Sequence, residues 1–324
     1  MLRVGVIRGG ASCEYEVSLQ TGASVLKNLS KDKYRIHDIL IDKSGAWHLD
    51  GLPLNPHVLP QKIDVAVIAL HGEYGEDGQI QNLLDRLKVS YTGSGHLASA
   101  LGMNKILSKD LVRKAGIKTP VGLEIKKNEH GEDLPQKIFQ KISPPWIVKP
   151  VDRGSSVGLY FAKNVEELAE AITKCFEVTD QVLIEEYIKG REATCGVVEN
   201  LRGHDLYPLF PIEIIRPDGA FFWDYDNKYS SDHKTICPGN FTVEQKMALQ
   251  EMATTIHRLF GLRHYSRSDF IISPRGIYFL ETNTLPGLTN NSLLPKAIAA
   301  AGIKHQHFLD HLIALAIKNK FYDQ

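Results

Sequence analysis

The run Ile63-Asp64-Val65-Ala66-Val67-Ile68-Ala69-Leu70 is apolar at every position but one and shows no alternation. A strand of this kind must be covered on both faces, as in a parallel sheet with helices on each side. Its surroundings agree. Val4 to Ile7 reads as a strand leading into Gly9-Gly10, and a helical stripe through Gly22, Val25, Leu26 and Leu29 follows. Ile36 to Ile41 reads as a second strand, while Ile80, Leu83, Leu84 and Leu87 fall on one helix face. The β-α-β order predicts a parallel, three-layer α/β unit whose ligand edge lies at the carboxyl ends of the strands. Gly9-Gly10 and His71-Gly72 fall at that edge.

At 324 residues the chain suits two or three domains. Thr92-Gly93-Ser94-Gly95 reads as a hinge, and the pattern predicts one helix over about 96–115, stopped by Gly116. Strands are expected at Pro145–Pro150, Leu159–Ala162 and Val182–Ile188. Asn164-Val165-Glu166-Glu167 resembles a capping box that opens a helix. This block reads as a small α+β unit. Beyond it lie strands near 192–199 and 206–215 and a helix from Thr242, with Gln245 completing a capping box and Gly261 its stop. The expected domains are 1–95, 96–190 and 191–324.

Lys plus Arg and Asp plus Glu number 38 each, so no global field favours nucleic acid or an acidic membrane. Anion binding must come from local clusters. The four cysteines are scattered without a Cys-x-x-Cys pair, which suits free thiols in a reducing compartment. There is no signal-peptide pattern and no apolar run approaching the ~18 residues of a membrane helix. The expected location is cytoplasmic.

Ser273-Pro274-Arg275-Gly276-Ile277 reads as a three-residue hairpin loop with glycine at the left-handed position. Pairing outward puts Asp269 opposite Glu281 and Arg267 opposite Asn283, all four on one face. Facing carboxylates repel, and a hard divalent cation would remove the conflict. Magnesium takes one or two carboxylates, with phosphate oxygens and water completing its shell. Arg267 neutralising the pair is the alternative, and these residues alone leave both open.

Other segments are equally two-sided. Arg153 to Gly158, just after Lys149, offers backbone N–H groups to phosphate or is an ordinary loop. Lys149 is then a phosphate ligand or a solvated strand end. Neither a P-loop nor a dinucleotide fingerprint occurs, so any ATP is held by other means. Glu185-Glu186-Tyr187-Ile188 presents strand-end backbone suited to an adenine edge, although Glu-rich strand ends are ordinarily solvated. Phe221 to Thr235, with Lys228, Tyr229 and Asp232, has the length of a lid or of a plain surface loop. Asn290-Asn291-Ser292 before Leu293 suits a helix cap or a carboxylate site.

The ordered set of motifs is more specific than any member. It comprises Gly9 to Ser18, Ala69 to Gly72, Gly75 to Gly78, Tyr91 to Gly95, Met103-Asn104-Lys105, Val148-Lys149-Pro150, Arg153 to Gly158, Lys228-Tyr229 with Ser231-Asp232, and Leu280 to Thr289. In this order, and over nearly the whole chain, it resembles the D-alanine–D-alanine ligases of the ATP-grasp superfamily.

The resemblance implies an α/β and α+β, three-domain ATP-grasp architecture with ATP between the central and C-terminal domains. Lys105, Lys149 and Lys228 would contact phosphates, under a loop at Ser155 and Ser156. Backbone near Glu185 and Ile188 would meet adenine, and Glu192 the ribose. Asp269, Glu281 and Asn283 would bind two Mg2+ ions, or Mn2+. Glu14 would anchor the ammonium of the first D-alanine, with His71 near its carboxylate. Arg267 and the N–H of Gly287 would hold the oxyanion, and Ser292 and Leu293 the second substrate's carboxylate. Glu14, Ser155 and Tyr229 would form a closing network. The implied product is D-alanyl-D-alanine for peptidoglycan, made by a homodimer with no nucleic-acid or membrane partner. A D-alanine–D-lactate ligase, or another carboxylate–amine ligase of the superfamily, is the alternative, and Tyr229 favours the dipeptide.

Overall fold

The computed structural model describes residues 1–129, 131, 133–154, 157–215 and 234–319. The first sheet contains β1 (Leu2–Gly9), β2 (Tyr34–Ile41), β3 (Trp47–Leu49), β4 (Leu52–Pro53), β5 (Val65–Ile68) and β6 (Ser90–Tyr91), in the order β4-β3-β2-β1-β5-β6. Strands β2, β1, β5 and β6 are parallel, as the apolar run requires, and every residue of β5 is buried. The short antiparallel strands β3 and β4 extend one edge.

The second sheet has the order β7-β10-β8-β9 and is antiparallel: β7 (Gly122–Lys126), β8 (Trp146–Pro150), β9 (Tyr160–Ala162) and β10 (Gln181–Glu186). Its core gathers Trp146, Val148, Leu168, Ile172 and Ile184. The third sheet contains β11 (Arg191–Leu201), β12 (His204–Pro208), β13 (Ile212–Ile215), β14 (Lys234–Ile236), β15 (Tyr265–Ser273) and β16 (Gly276–Asn283). Helix Val243–Leu259 lays Leu249, Ala253 and Ile256 against Phe270 and Phe279. Its start carries the expected capping box between Thr242 and Gln245.

Three local expectations need correction. The single helix over 96–115 is two, His96–Met103 and Lys105–Lys114. Asn104 adopts an extended conformation between them, and its side-chain oxygen accepts from the N–H groups of Ile106 and Leu107 at 3.1 and 3.0 Å. That cap starts a new helix at Lys105. The strand expected over 206–215 is divided into β12 and β13, which pair with different parts of β11. At Asn164 the cap forms, but the Glu167 carboxylate reaches the N–H of Lys163 (2.8 Å) and the Asn164 side chain, not the Asn164 backbone.

The core of the first sheet is completed from the far end of the chain. Helices Leu293–Ala300 and His305–Asn319 bury Leu294, Ile298, Phe308 and Leu312 in the same cluster as Val4, Ile7 and Ile68. Among the described residues no helix is long and apolar enough to cross a membrane.

Candidate active site

The site is built on the β15–β16 hairpin. Asp269 stands opposite Glu281 and Arg267 opposite Asn283, as the sequence predicts, but by a different route. The turn pairs Ser273 with Gly276, not Ile277, and that register runs to Phe270 with Phe279. Continued, it would set Asp269 against Leu280 and turn Glu281 to the other face. A β-bulge between Asp269 and Phe270 shifts the register by one residue. Phe270 and Phe279 therefore enter the core under the sheet, while Asp269 and Glu281 both line a cavity above it.

Two cavities meet over this hairpin. The first lies between the second and third sheets and is lined by Lys149, Glu185, Ile188, Glu192, Asp269 and neighbouring residues. The second is lined by Glu14, His71, Asn283, Gly287, Ser292 and Leu293 among others. Lys105, Arg153, Gly154, Arg267 and Glu281 line both. Every expected site residue that is described thus borders one cavity or the other. Ser155, Ser156, Lys228 and Tyr229 lie outside the described residues.

The reading of Arg267 as partner to a carboxylate holds for Asp269. Its Nε and Nη2 donate to Oδ1 and Oδ2, each at 3.1 Å. Thr194 on the neighbouring strand also donates to Oδ1 at 2.5 Å, and Asn283 Nδ2 donates to Oδ2 at 3.2 Å. Glu281 instead lies 3.9 Å from Lys105 Nζ. Two carboxylates and one amide oxygen of facing strands suit a hard divalent cation. Among the described residues no group of three or more His, Cys, Asp or Glu side chains gathers to hold a metal alone. A cation here would need oxygens from a ligand, which fits magnesium delivered with a polyphosphate.

The bland readings of Lys149 and Glu185 fail. Lys149 is 8% exposed and Glu185 2%. Glu185 Oε2 receives Lys149 Nζ at 2.7 Å, and its Oε1 receives Lys109 Nζ. Burial draws the Lys109 ammonium down to about 7, against the pull of Glu185. Sequence reasoning missed Lys109. It lies on a helix face with Lys105, Ser108 and Val112 whose four members are all buried although three are polar, which the sequence itself does not signal.

In the second cavity Glu14 is 5% exposed. A Cβ on Gly154 would come within 2.5 Å of Glu14 Oε1, so the backbone at Gly154 lies directly on this carboxylate. His71 Nε2 meets Thr21 Oγ1 at 2.8 Å, and the ring also hydrogen-bonds to the backbone of Leu285. Burial pushes its pKa down to about 4, so near neutrality the ring carries no charge, and both of its nitrogens are already engaged. Ser292 occupies the cap position of helix Leu293–Ala300 but makes no capping bond. Its hydroxyl turns back to Thr289, accepting from N–H at 3.2 Å and meeting Oγ1 at 2.7 Å. A Cβ on Gly287 would lie 2.9 Å from Ser292 Oγ, so glycine brings the two segments together.

Glu76 was also missed as a site residue, as was the ion pair that Arg153 makes with Glu73 beside the cavities. Glu76 accepts from the N–H of Gly72 at 3.0 Å and of Leu285 at 3.3 Å, clamping the His71 turn to the Leu285–Thr289 segment. Burial first, then Glu14, raise its pKa to about 8. It falls inside the Gly75 to Gly78 motif, yet nothing in its spacing distinguishes it from the half-buried acids Glu73 and Asp77 beside it.

Comparison with known proteins agrees with this geometry. The family description "D-ala D-ala ligase N-terminus" matches residues 3–57 and 51–94, and "D-ala D-ala ligase C-terminus" matches 111–314. A D-alanine–D-alanine ligase of Syntrophobacter fumaroxidans is 40% identical over 98% of both chains. Among solved structures, the Bacillus anthracis D-alanine–D-alanine ligase complexed with ATP is 31% identical, with a TM-score of 0.80 over the whole of both chains. The VanG D-Ala:D-Ser ligase of Enterococcus faecalis is 31% identical, with a TM-score of 0.85 over 97% of this chain and 99% of its own. Sequence, fold and cleft therefore agree that the chain belongs to the D-alanine–D-alanine ligase family, ATP-dependent and ADP-forming enzymes of ATP-grasp fold.

Proposed function

We propose that the chain joins two D-alanine molecules into D-alanyl-D-alanine, a peptidoglycan precursor, through a D-alanyl phosphate. The observation that carries this reading is the meeting of the two cavities at Lys105, Arg267 and Glu281. A nucleotide in the first then has its terminal phosphate beside an amino acid in the second.

ATP lies with adenine near the backbone of Glu185 and Ile188, ribose near Glu192, and phosphates toward Lys105 and Lys149; Lys228, Ser155 and Ser156 serve the same phosphates by the family resemblance. Asp269, Glu281 and Asn283 would hold two Mg2+ ions, or Mn2+. When bound, these supply positive charge for the phosphates being separated. Glu14 holds the ammonium of the first D-alanine, and neutral His71 lies near its carboxylate. That carboxylate takes the terminal phosphoryl group and ADP is released from the bond. The deprotonated amine of a second D-alanine, held by Ser292 and Leu293, attacks the acyl carbon. Arg267 and the N–H of Gly287 stabilise the oxyanion until phosphate leaves. Glu14, Ser155 and Tyr229 tie the site shut, which keeps water from the acyl phosphate.

We place three functional units at 1–95, 96–190 and 191–324, acting in the cytoplasm as a homodimer. Four free cysteines support a reducing compartment. The deciding experiment supplies Mg-ATP and D-alanine and follows ADP, phosphate and dipeptide by mass spectrometry, with D-serine, D-lactate and L-alanine in parallel. The dipeptide should dominate. A mixed product from D-serine or D-lactate in preference to it would reassign the second substrate.

A further inference from the structure

Lys109 lies on helix Lys105–Lys114, one turn beyond Lys105, and is 2% exposed. Although Lys149 and Glu185 both line the nucleotide cavity, Lys109 is not among the residues lining either cavity. It cannot touch a bound nucleotide there. Its ammonium meets Oε1 of Glu185 while Lys149 meets Oε2 at 2.7 Å, so one buried carboxylate is shared by two buried cations.

A buried ammonium paired alone with a buried carboxylate is neutral as a unit and has little charge left for a third partner. Two ammoniums on one carboxylate leave a formal excess of one positive charge. The only member of the three placed to present that charge to phosphate is Lys149, because Lys109 is sealed behind Glu185.

We propose that Lys109 is a positioning residue for nucleotide binding: by occupying one oxygen of Glu185 it stops that carboxylate from neutralising Lys149, and so leaves Lys149 a charge to offer ATP. The inference rests on ATP occupying the first cavity with its phosphates toward Lys149. Glu185 thereby fixes the height of Lys149 by its side chain.

The test is calorimetric titration with Mg-ATP at pH 6.5, with thermal melting to check each fold. Lys149→Met should weaken binding, and Lys109→Met should raise the dissociation constant roughly tenfold through the lost field at ~20 effective dielectric. Lys109→Arg should stay close to wild type. Lys109→Met/Glu185→Gln, which restores the wild-type net charge, should recover most of the lost affinity. If Lys149→Met binds normally, the placement of ATP is wrong. If Lys149→Met is weakened but Lys109→Met is not, the placement stands and the inference is overturned. A double variant as weak as Lys109→Met overturns it too, because a purely structural role would give no recovery. Lys109→Gln, polar and uncharged, carries the same comparison should the methionine variant not fold.

Discussion

Arg267 and Asp269 lie on the same face of β15 and close a two-point ion pair, both contacts at 3.1 Å and both side chains less than a fifth exposed. Of the two facing carboxylates, Asp269 is compensated along its own strand, and Glu281 leans toward Lys105.

This division separates two variants. Glu281→Ala should lower ADP formation at least a hundredfold while leaving the melting temperature nearly unchanged. Asp269→Ala should lose activity as completely but also destabilise the fold by on the order of 3 kcal/mol, because Arg267 is left buried and unpaired. Coupled-enzyme assay with thermal melting distinguishes them. Near-wild-type turnover in both would remove the metal assignment.

Acid should weaken the fold through His71 and His264. Burial lowers both pKa values to about 4, against about 6.5 for the unfolded chain. The folded state thus binds fewer protons than the unfolded one between these values. Stability is fully present above about pH 6.5 and is lost as pH falls through about 4, on the order of 3 kcal/mol for each ring at the limit. Melting temperature should decline over this window, and replacing either histidine with Asn should flatten the decline. In NMR spectra neither ring should titrate near pH 6.5.

Gly287→Ala sets a methyl group 2.9 Å from Ser292 Oγ. The hydroxyl must yield, carrying with it the start of the helix proposed to hold the second carboxylate. KM for the second D-alanine should rise about tenfold or more with little change for ATP, as expected when one contact of about 1.4 kcal/mol is lost. Product-inhibition kinetics resolve the two subsites, and an equal rise in both constants would contradict the placement.

Glu76→Ala leaves the N–H groups of Gly72 and Leu285 without their acceptor, at about 1–3 kcal/mol each. The melting temperature should fall. D-alanine turnover should fall further than ATP binding, since the freed segment carries Gly287. Unchanged turnover in a folded variant would show that the clamp is dispensable.

Legibility of the fold tracks how far each signal stays local. The apolar run at Ile63–Leu70 dictates the parallel sheet because no other arrangement covers both faces. Strands β3 and β4 escape detection because two or three residues are too few to show alternation. The facing of Asp269 and Glu281 is legible, but its cause is not: the reading assumed a three-residue loop, and the protein reaches the same register with a tighter turn and a bulge at Leu280. Lys109 and Glu76 stayed hidden for a different reason. Burial of a charge is decided by partners 76 and 209 residues away in the chain, and no window of sequence contains them.

The first sheet owes part of its interior to helices that end near residue 319. During synthesis, strands β1 to β6 emerge first but stay partly uncovered until residues 293–319 have followed. A chain stalled or clipped before Leu293 would therefore present bare Val, Ile and Leu surface to chaperones and proteases. The amino-terminal portion cannot settle as an independent nucleus, so birth order and folding order part company in this protein.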